Sequence, residues 1–184
     1  ASIGAYIDDR TSHIKCPRHD PFLQDHVRQV LRQKADGTFL WVALVLQELG
    51  QAKPWAMRRV VDDIPKGLDE LYGRMIEQLQ QLREEDREYC QLVLATATLA
   101  CRPLRLPELG AVSGLPGEIS GEAEWMQQIV TMSGSLLTVR DETVYFVHQS
   151  AKEYLIGKAA SIIIPCGPAA AHWSIFQRSL DARS

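Results

Sequence analysis

Apolar residues along this chain recur mostly at the three- and four-residue steps of helices, and near its final quarter at the two-residue step of strands. A short helix is expected over Ile3 to Asp9, followed by a mixed loop from Thr11 to Asp20. Asp20 and Pro21 suit a cap and first helical position, opening a helix to about Ala35 with Phe22, Val27, Val30 and Leu31 on its buried stripe. Asp36-Gly37 breaks it, and Thr38 caps the next, Phe39 to about Leu49. That segment is apolar nearly all round, so it belongs at the centre of a first lobe. Pro54 starts a short helix ending near Asp63, closed by Ile64-Pro65-Lys66-Gly67. Leu68, Leu71, Tyr72, Met75, Ile76 and Leu79 then mark a clean amphipathic helix.

The charged run Arg83 to Glu88 reads as a bend and lobe boundary, or as a solvated helix face. A helix over Asp86 to Ala100 offers Leu92, Leu94, Ala95 and Leu99 for burial. Pro103 to Glu108 opens a short helix ending near Gly114, and Leu115-Pro116-Gly117 is a turn. Glu122 to about Met132 forms another helix anchored by Trp125, Ile129 and Val130. Leu136 to Val139 and Thr143 to Val147 alternate as two strands around Arg140-Asp141-Glu142. Helices followed by a hairpin give the order of a winged helix. Ile162 to Ile164 reads as a brief extended run, and Pro168 begins a last helix to about Leu180. The expected fold is mainly α: a helical lobe over 1–83, a winged-helix domain with a small β-hairpin over 84–156, and the start of a further helical segment over 157–184.

Composition narrows the functions. A formal net charge of −3 gives no general attraction to nucleic acid or anionic membrane. From Leu106 to Val139 there is no Lys or Arg, while Glu108, Glu118, Glu122 and Glu124 are acidic, so a DNA-reading winged helix is disfavoured. The longest apolar run, Phe39 to Leu46, falls far below the roughly 20 residues that span a bilayer. The N-terminus shows no signal peptide, and the missing initiator Met is expected of a fragment. Cys16, Cys90, Cys101 and Cys166 form no C-x-x-C pair and are expected to be reduced, in a cytoplasmic protein. His13, Cys16 and His19, with His26 nearby, lack a clear fourth zinc ligand, so no metal is expected. Asp141, His148 and Ser150 are close in sequence, but no G-x-S-x-G elbow supports a hydrolase.

Three stretches together resemble the arm region of STAND-class signalling NTPases, particularly fungal NACHT proteins related to NOD-like receptors. They are Lys34-Ala35-Asp36-Gly37-Thr38-Phe39-Leu40-Trp41-Val42; Ile64-Pro65-Lys66-Gly67-Leu68-Asp69-Glu70-Leu71-Tyr72; and Arg102 to Leu109 joined to Val147-His148-Gln149-Ser150-Ala151-Lys152-Glu153-Tyr154-Leu155. The resemblance implies a nucleotide-binding core upstream. No G-x-x-x-x-G-K-[ST] loop occurs in this chain, so it is not expected to be an enzyme or to bind ADP or ATP alone. In such proteins a G-x-P segment lines the adenine pocket; it matches Gly37-Thr38-Phe39, with Phe39 in place of proline. The Met-His-Asp motif, whose histidine meets the diphosphate in the closed state, matches Val147-His148-Gln149, with only the histidine kept. The resemblance therefore implies an arm that closes over ADP in a full-length parent and moves on exchange for ATP, permitting homo-oligomerisation. Its implied partners are the parent's own upstream core and a downstream repeat domain, with no nucleic acid or membrane. The alternative is a helical interaction scaffold that docks those repeats without sensing nucleotide.

Overall fold

A computed structural model describes residues 2–13, 21–35 and 37–181. These form two compact units, residues 1–71 and 72–184, and the division falls within one helix, between Leu71 and Tyr72. The fold is mainly α with one small antiparallel sheet.

The first unit contains α1 (Ile3–Ser12), α2 (Pro21–Lys34), α3 (Phe39–Gln51), α4 (Met57–Asp62), preceded by a single 3-10 turn, and the start of α5 (Leu68–Gln80). Trp41, Val42, Leu44, Val45 and Leu49 of α3 are buried, as expected of a helix apolar on most sides. The stripe of α2 is Leu23, Val27, Val30 and Leu31, a set spaced by four, three and one. Phe22 lies one position off that stripe and is 85% exposed, contrary to the sequence reading. The loop after α4 is tied down by polar bonds from two directions. The Lys34 ammonium donates to the carbonyls of Asp62 (2.9 Å) and Ile64 (2.6 Å), at the end of α4 where carbonyls lack helical partners. The indole N–H of buried Trp41 donates to Pro65 O at 3.2 Å.

The second unit contains the rest of α5, then α6 (Glu84–Leu99), β1 (Leu104–Arg105), α7 (Leu106–Ser113), α8 (Gly117–Ser120), α9 (Ala123–Met132), β2 (Leu137–Arg140), β3 (Thr143–Phe146), α10 (Gln149–Gly157), α11 (Ala160–Ile163) and α12 (Pro168–Asp181). Arg83 stands at the N-cap position of α6 without a side-chain cap bond, and the charged run forms the break before this helix and its solvated first turn. Placing Glu84, Glu85 and Asp86 there suits the helix dipole. The hairpin register pairs Leu137 with Phe146, Val139 with Val144 and Arg140 with Thr143. Asp141 and Glu142 both take positive φ (48° and 58°), the handedness that a two-residue turn needs to match strand twist. The sheet has a third strand, β1, giving the order β1-β3-β2. Two residues flanked by prolines carry too short a pattern to be read as a strand. β1 forms because Leu104 and Arg105 complete the open edge of β3 opposite Val144 and Thr143.

Other expectations change. On α9 the buried set is Met126, Ile129 and Val130, an i, i+3, i+4 triple, whereas Trp125 is 49% exposed. On α6, Leu94 is buried beside Cys90, Val93 and Thr96, and Leu92, Ala95 and Leu99 are only partly covered. The segment expected to be extended at Ile162–Ile164 instead closes the turn of α11, and Ile163 and Ile164 are buried.

Backbones approach closely where α7 meets α8. A Cβ on Gly110 would stand 2.5 Å from Ser120 O, a backbone atom that cannot swing away. Gly110→Ala should therefore destabilise the second unit by on the order of 2 kcal/mol, seen as a lower denaturation midpoint. A midpoint equal to wild type would contradict this packing.

At the start of α7, Glu108 accepts from Arg102 Nη2 (2.8 Å) and Nη1 (3.0 Å) and from the Arg105 backbone N–H (3.0 Å). The Arg102 bonds first, and the Arg105 N–H second, hold its carboxyl down to about 2 from an ordinary 4.5. A carboxyl with a depressed folded pKa contributes stability above the unfolded value and loses it as pH falls toward the folded one. Glu108→Gln should thus cost stability at pH 7, by less than about 1 kcal/mol because the group is well solvated. The gap between the two proteins should close between pH 4.5 and about 2. Equal urea midpoints at pH 7 would count against the cap.

Candidate functional site

The corner between β3 and α10 carries the most organised polar cluster among the described residues. The ladder of β2 and β3 continues to Val147, whose N–H donates to Leu136 O at 3.0 Å. His148 follows with extended backbone (φ −159°, ψ 156°) and is the N-cap of α10. Caps are usually Ser, Thr, Asp or Asn, because a side-chain acceptor must reach a free N–H of the first turn. Here the imidazole does so: His148 Nδ1 accepts from the Ser150 N–H at 3.2 Å. An accepting Nδ1 places the proton of the neutral ring on Nε2. His148 is exposed, and Nε2 makes no hydrogen bond to the described residues.

Behind the ring runs a second bond chain. Ser150 Oγ lies 2.9 Å from His148 Nδ1 and 2.9 Å from the Tyr72 hydroxyl. Since Nδ1 is an acceptor, Ser150 donates to it and takes its own bond from Tyr72. Tyr72 is fully buried on α5, and its ring tilts against Tyr154 of α10 at 5.5 Å between centroids. Ala151 and Leu155 bury the inner face of α10, and the Lys152 ammonium donates to Ala100 O at 3.0 Å. The histidine is thus held from beneath by α5 and presents its other nitrogen outward. An Nε2–H beside a helix N-terminus is a donor suited to an anionic oxygen.

Ser150 and Tyr72 were not legible as partners of His148. Sequence spacing suggested only that Ser150 follows the histidine on the same corner. Tyr72 is 78 positions from Ser150, and no local pattern joins them. The hydrolase arrangement does not form: among the described residues no hydrogen bond joins Asp141 to His148. The Ser150 hydroxyl is shared between a cap and a buried phenol.

Gly37, Thr38 and Phe39 lie in the first unit, whereas His148 lies in the second. Gly37 takes φ 75°, which a side chain rarely adopts, and a Cβ there would meet open space. The Thr38 N–H donates to Ala35 O at 2.8 Å, but its hydroxyl does not cap α3. Phe39 is 45% exposed and stands edge-on to Tyr6 at 5.4 Å. It is therefore a partly covered aromatic, available to a flat ligand on its open side.

Of the metal candidates, Cys16 and His19 lie outside the described residues. His13 Nδ1 bonds Asp9 O at 2.8 Å and His26 Nε2 bonds Asp62 Oδ1 at 2.5 Å. No group of three or more metal-ligating side chains occurs among the described residues. No helix among them is long and apolar enough to cross a membrane.

Removing either partner should loosen the histidine. With Ser150→Ala or Tyr72→Phe, nitrogen NMR of His148 should shift from one Nε2-protonated tautomer toward a mixture. Tyr72→Phe should also cost about 1 kcal/mol by the lost buried bond. An unchanged tautomer in both variants would remove Tyr72 and Ser150 from the site.

No known protein-family model and no solved structure matches this chain. Among curated proteins, the whole chain is 37% identical over 200 aligned positions to the vegetative incompatibility protein HET-E-1 of Podospora anserina, of whose length it spans 14%.

Proposed function

We propose that this chain, related along its whole length to part of a fungal incompatibility protein, is the regulatory arm of a NACHT-type signalling NTPase. The observation that supports this reading most is the coincidence of that likeness with the outward-facing His148 corner. In the parent, ADP held by an upstream core supplies a diphosphate anion. His148 donates to it from Nε2, and the first turn of α10 adds its favourable dipole. Tyr72 and Ser150 keep the imidazole in the donor tautomer without occupying Nε2. Gly37 lets the chain turn tightly before α3, and the open side of Phe39 packs on the adenine. The chain contributes no phosphate loop and performs no hydrolysis by itself. Nucleotide exchange changes the contact at His148, and a contact that differs between two nucleotides is what biases closed against open arms. Release of the arm then permits self-association of the parent in incompatibility signalling, with its upstream core and downstream repeats as partners.

The test uses the full-length parent. His148→Ala should lower the fraction of purified protein carrying ADP by about tenfold, the loss of one charge-assisted bond, and should raise spontaneous oligomerisation. Phe39→Ala should weaken retention of ADP and ATP alike, since both share the adenine. If ADP occupancy and oligomeric state are unchanged in His148→Ala, the arm does not sense nucleotide through this corner.

A further inference from the structure

Away from the His148 corner, the second unit holds a cavity of about 350 Å³ between α6, α7, α11 and α12. Its size lies in the range of small-molecule sites, roughly 300–1,000 Å³. Leu92, Ala95, Ile163 and Ile175 form apolar walls. Polar groups interrupt them, Thr96 and Arg178 among them. Thr96 lines the cavity and is 2% exposed, and its hydroxyl can donate or accept a hydrogen bond. Opposite in the chain, Arg178 of α12 also lines the cavity. Its guanidinium donates from Nη1 to Val112 O at 3.3 Å, and among the described residues it forms no ion pair.

The guanidinium reaches this position by crossing Gly114. A Cβ on Gly114 would stand 2.5 Å from Arg178 Cζ, so the residue that ends α7 with φ 86° also clears room for the cation. A half-buried guanidinium with only one carbonyl partner retains donors in a fork that fits a carboxylate.

We propose that this cavity binds an amphipathic monoanion, with its carboxylate on Arg178 and Thr96 and its apolar body among Leu92, Ala95, Ile163 and Ile175. Glu88 also lines the cavity, and its negative charge disfavours ligands with a second anionic group. Because Arg178 belongs to α12 and Thr96 to α6, the ligand bridges two helices and fastens α12 to the unit.

Decanoate, below its micelle-forming concentration, is the probe, and decanol is its uncharged control. In calorimetric titration of this chain, decanoate should bind saturably at one site and raise the denaturation midpoint. Arg178→Gln should weaken decanoate at least about tenfold while leaving weak decanol binding unchanged, because only the charge-assisted bond is removed. Ala95→Phe, which fills the cavity, should remove binding of both. Thr96→Val keeps the shape and should weaken decanoate alone. The proposal is overturned if decanoate does not saturate, or binds Arg178→Gln as well as it binds wild type. It is also overturned if a folded Ala95→Phe protein keeps the site.

Discussion

The buried phenol of Tyr72 sets the terms for the second unit. A hydroxyl taken out of water without a partner costs more than the bond itself contributes, so its surroundings must supply one. Ser150 does, and the chain of bonds from Tyr72 through Ser150 to His148 fixes where α10 begins relative to α5. The tilted Tyr72–Tyr154 ring pair repeats the same contact one helical turn further along α10. Gly73 permits it, since a Cβ there would stand 3.2 Å from the Tyr154 hydroxyl. The exposed imidazole is therefore not a loose surface side chain. It is the outer end of a rod whose inner end is buried.

The stretches that carry the family resemblance turn out to be sites of long-range polar bonds. Lys34 and Trp41 of the first stretch bond the carbonyls of Ile64 and Pro65 in the second. Tyr72, closing the second, bonds Ser150 in the third. Arg102 and Glu108 bond each other within the third and cap α7. Such groups are hard to substitute singly, because each deletion leaves a carbonyl, phenol or charge without its partner. The motifs thus have a folding role whether or not nucleotide is nearby. Within these stretches, Nε2 of His148 and the open side of Phe39 remain beyond the bonds that folding uses.

The second unit carries a stretch without positive charge. The outward face of α9 carries Glu124, Gln127 and Gln128, with no cation from Leu106 to Val139. The sheet is short, with β3 paired on both sides and β1 and β2 as its edges. What the unit does contain is a polar corner at one place and an apolar cavity with a guanidinium at another.

The sequence by itself determined the helices, the hairpin and most buried stripes, because periodicity and breakers act over a few residues. Gly37, Gly114 and Gly134 stop or turn the chain with φ 75°, 86° and 81°, where their sequence surroundings place them. It also singled out His148 as a strand-to-helix corner. Tertiary structure decided the rest. Phe22 and Trp125 sit beside the buried stripes rather than on them, a matter of one position, or about 100° of helix rotation, that only packing resolves. β1 exists only because the edge of β3 was open to receive it. The proton on His148 is placed by a tyrosine 76 positions away in the chain and by a serine two positions on. No local pattern encodes such a bond, since it depends on two helices meeting.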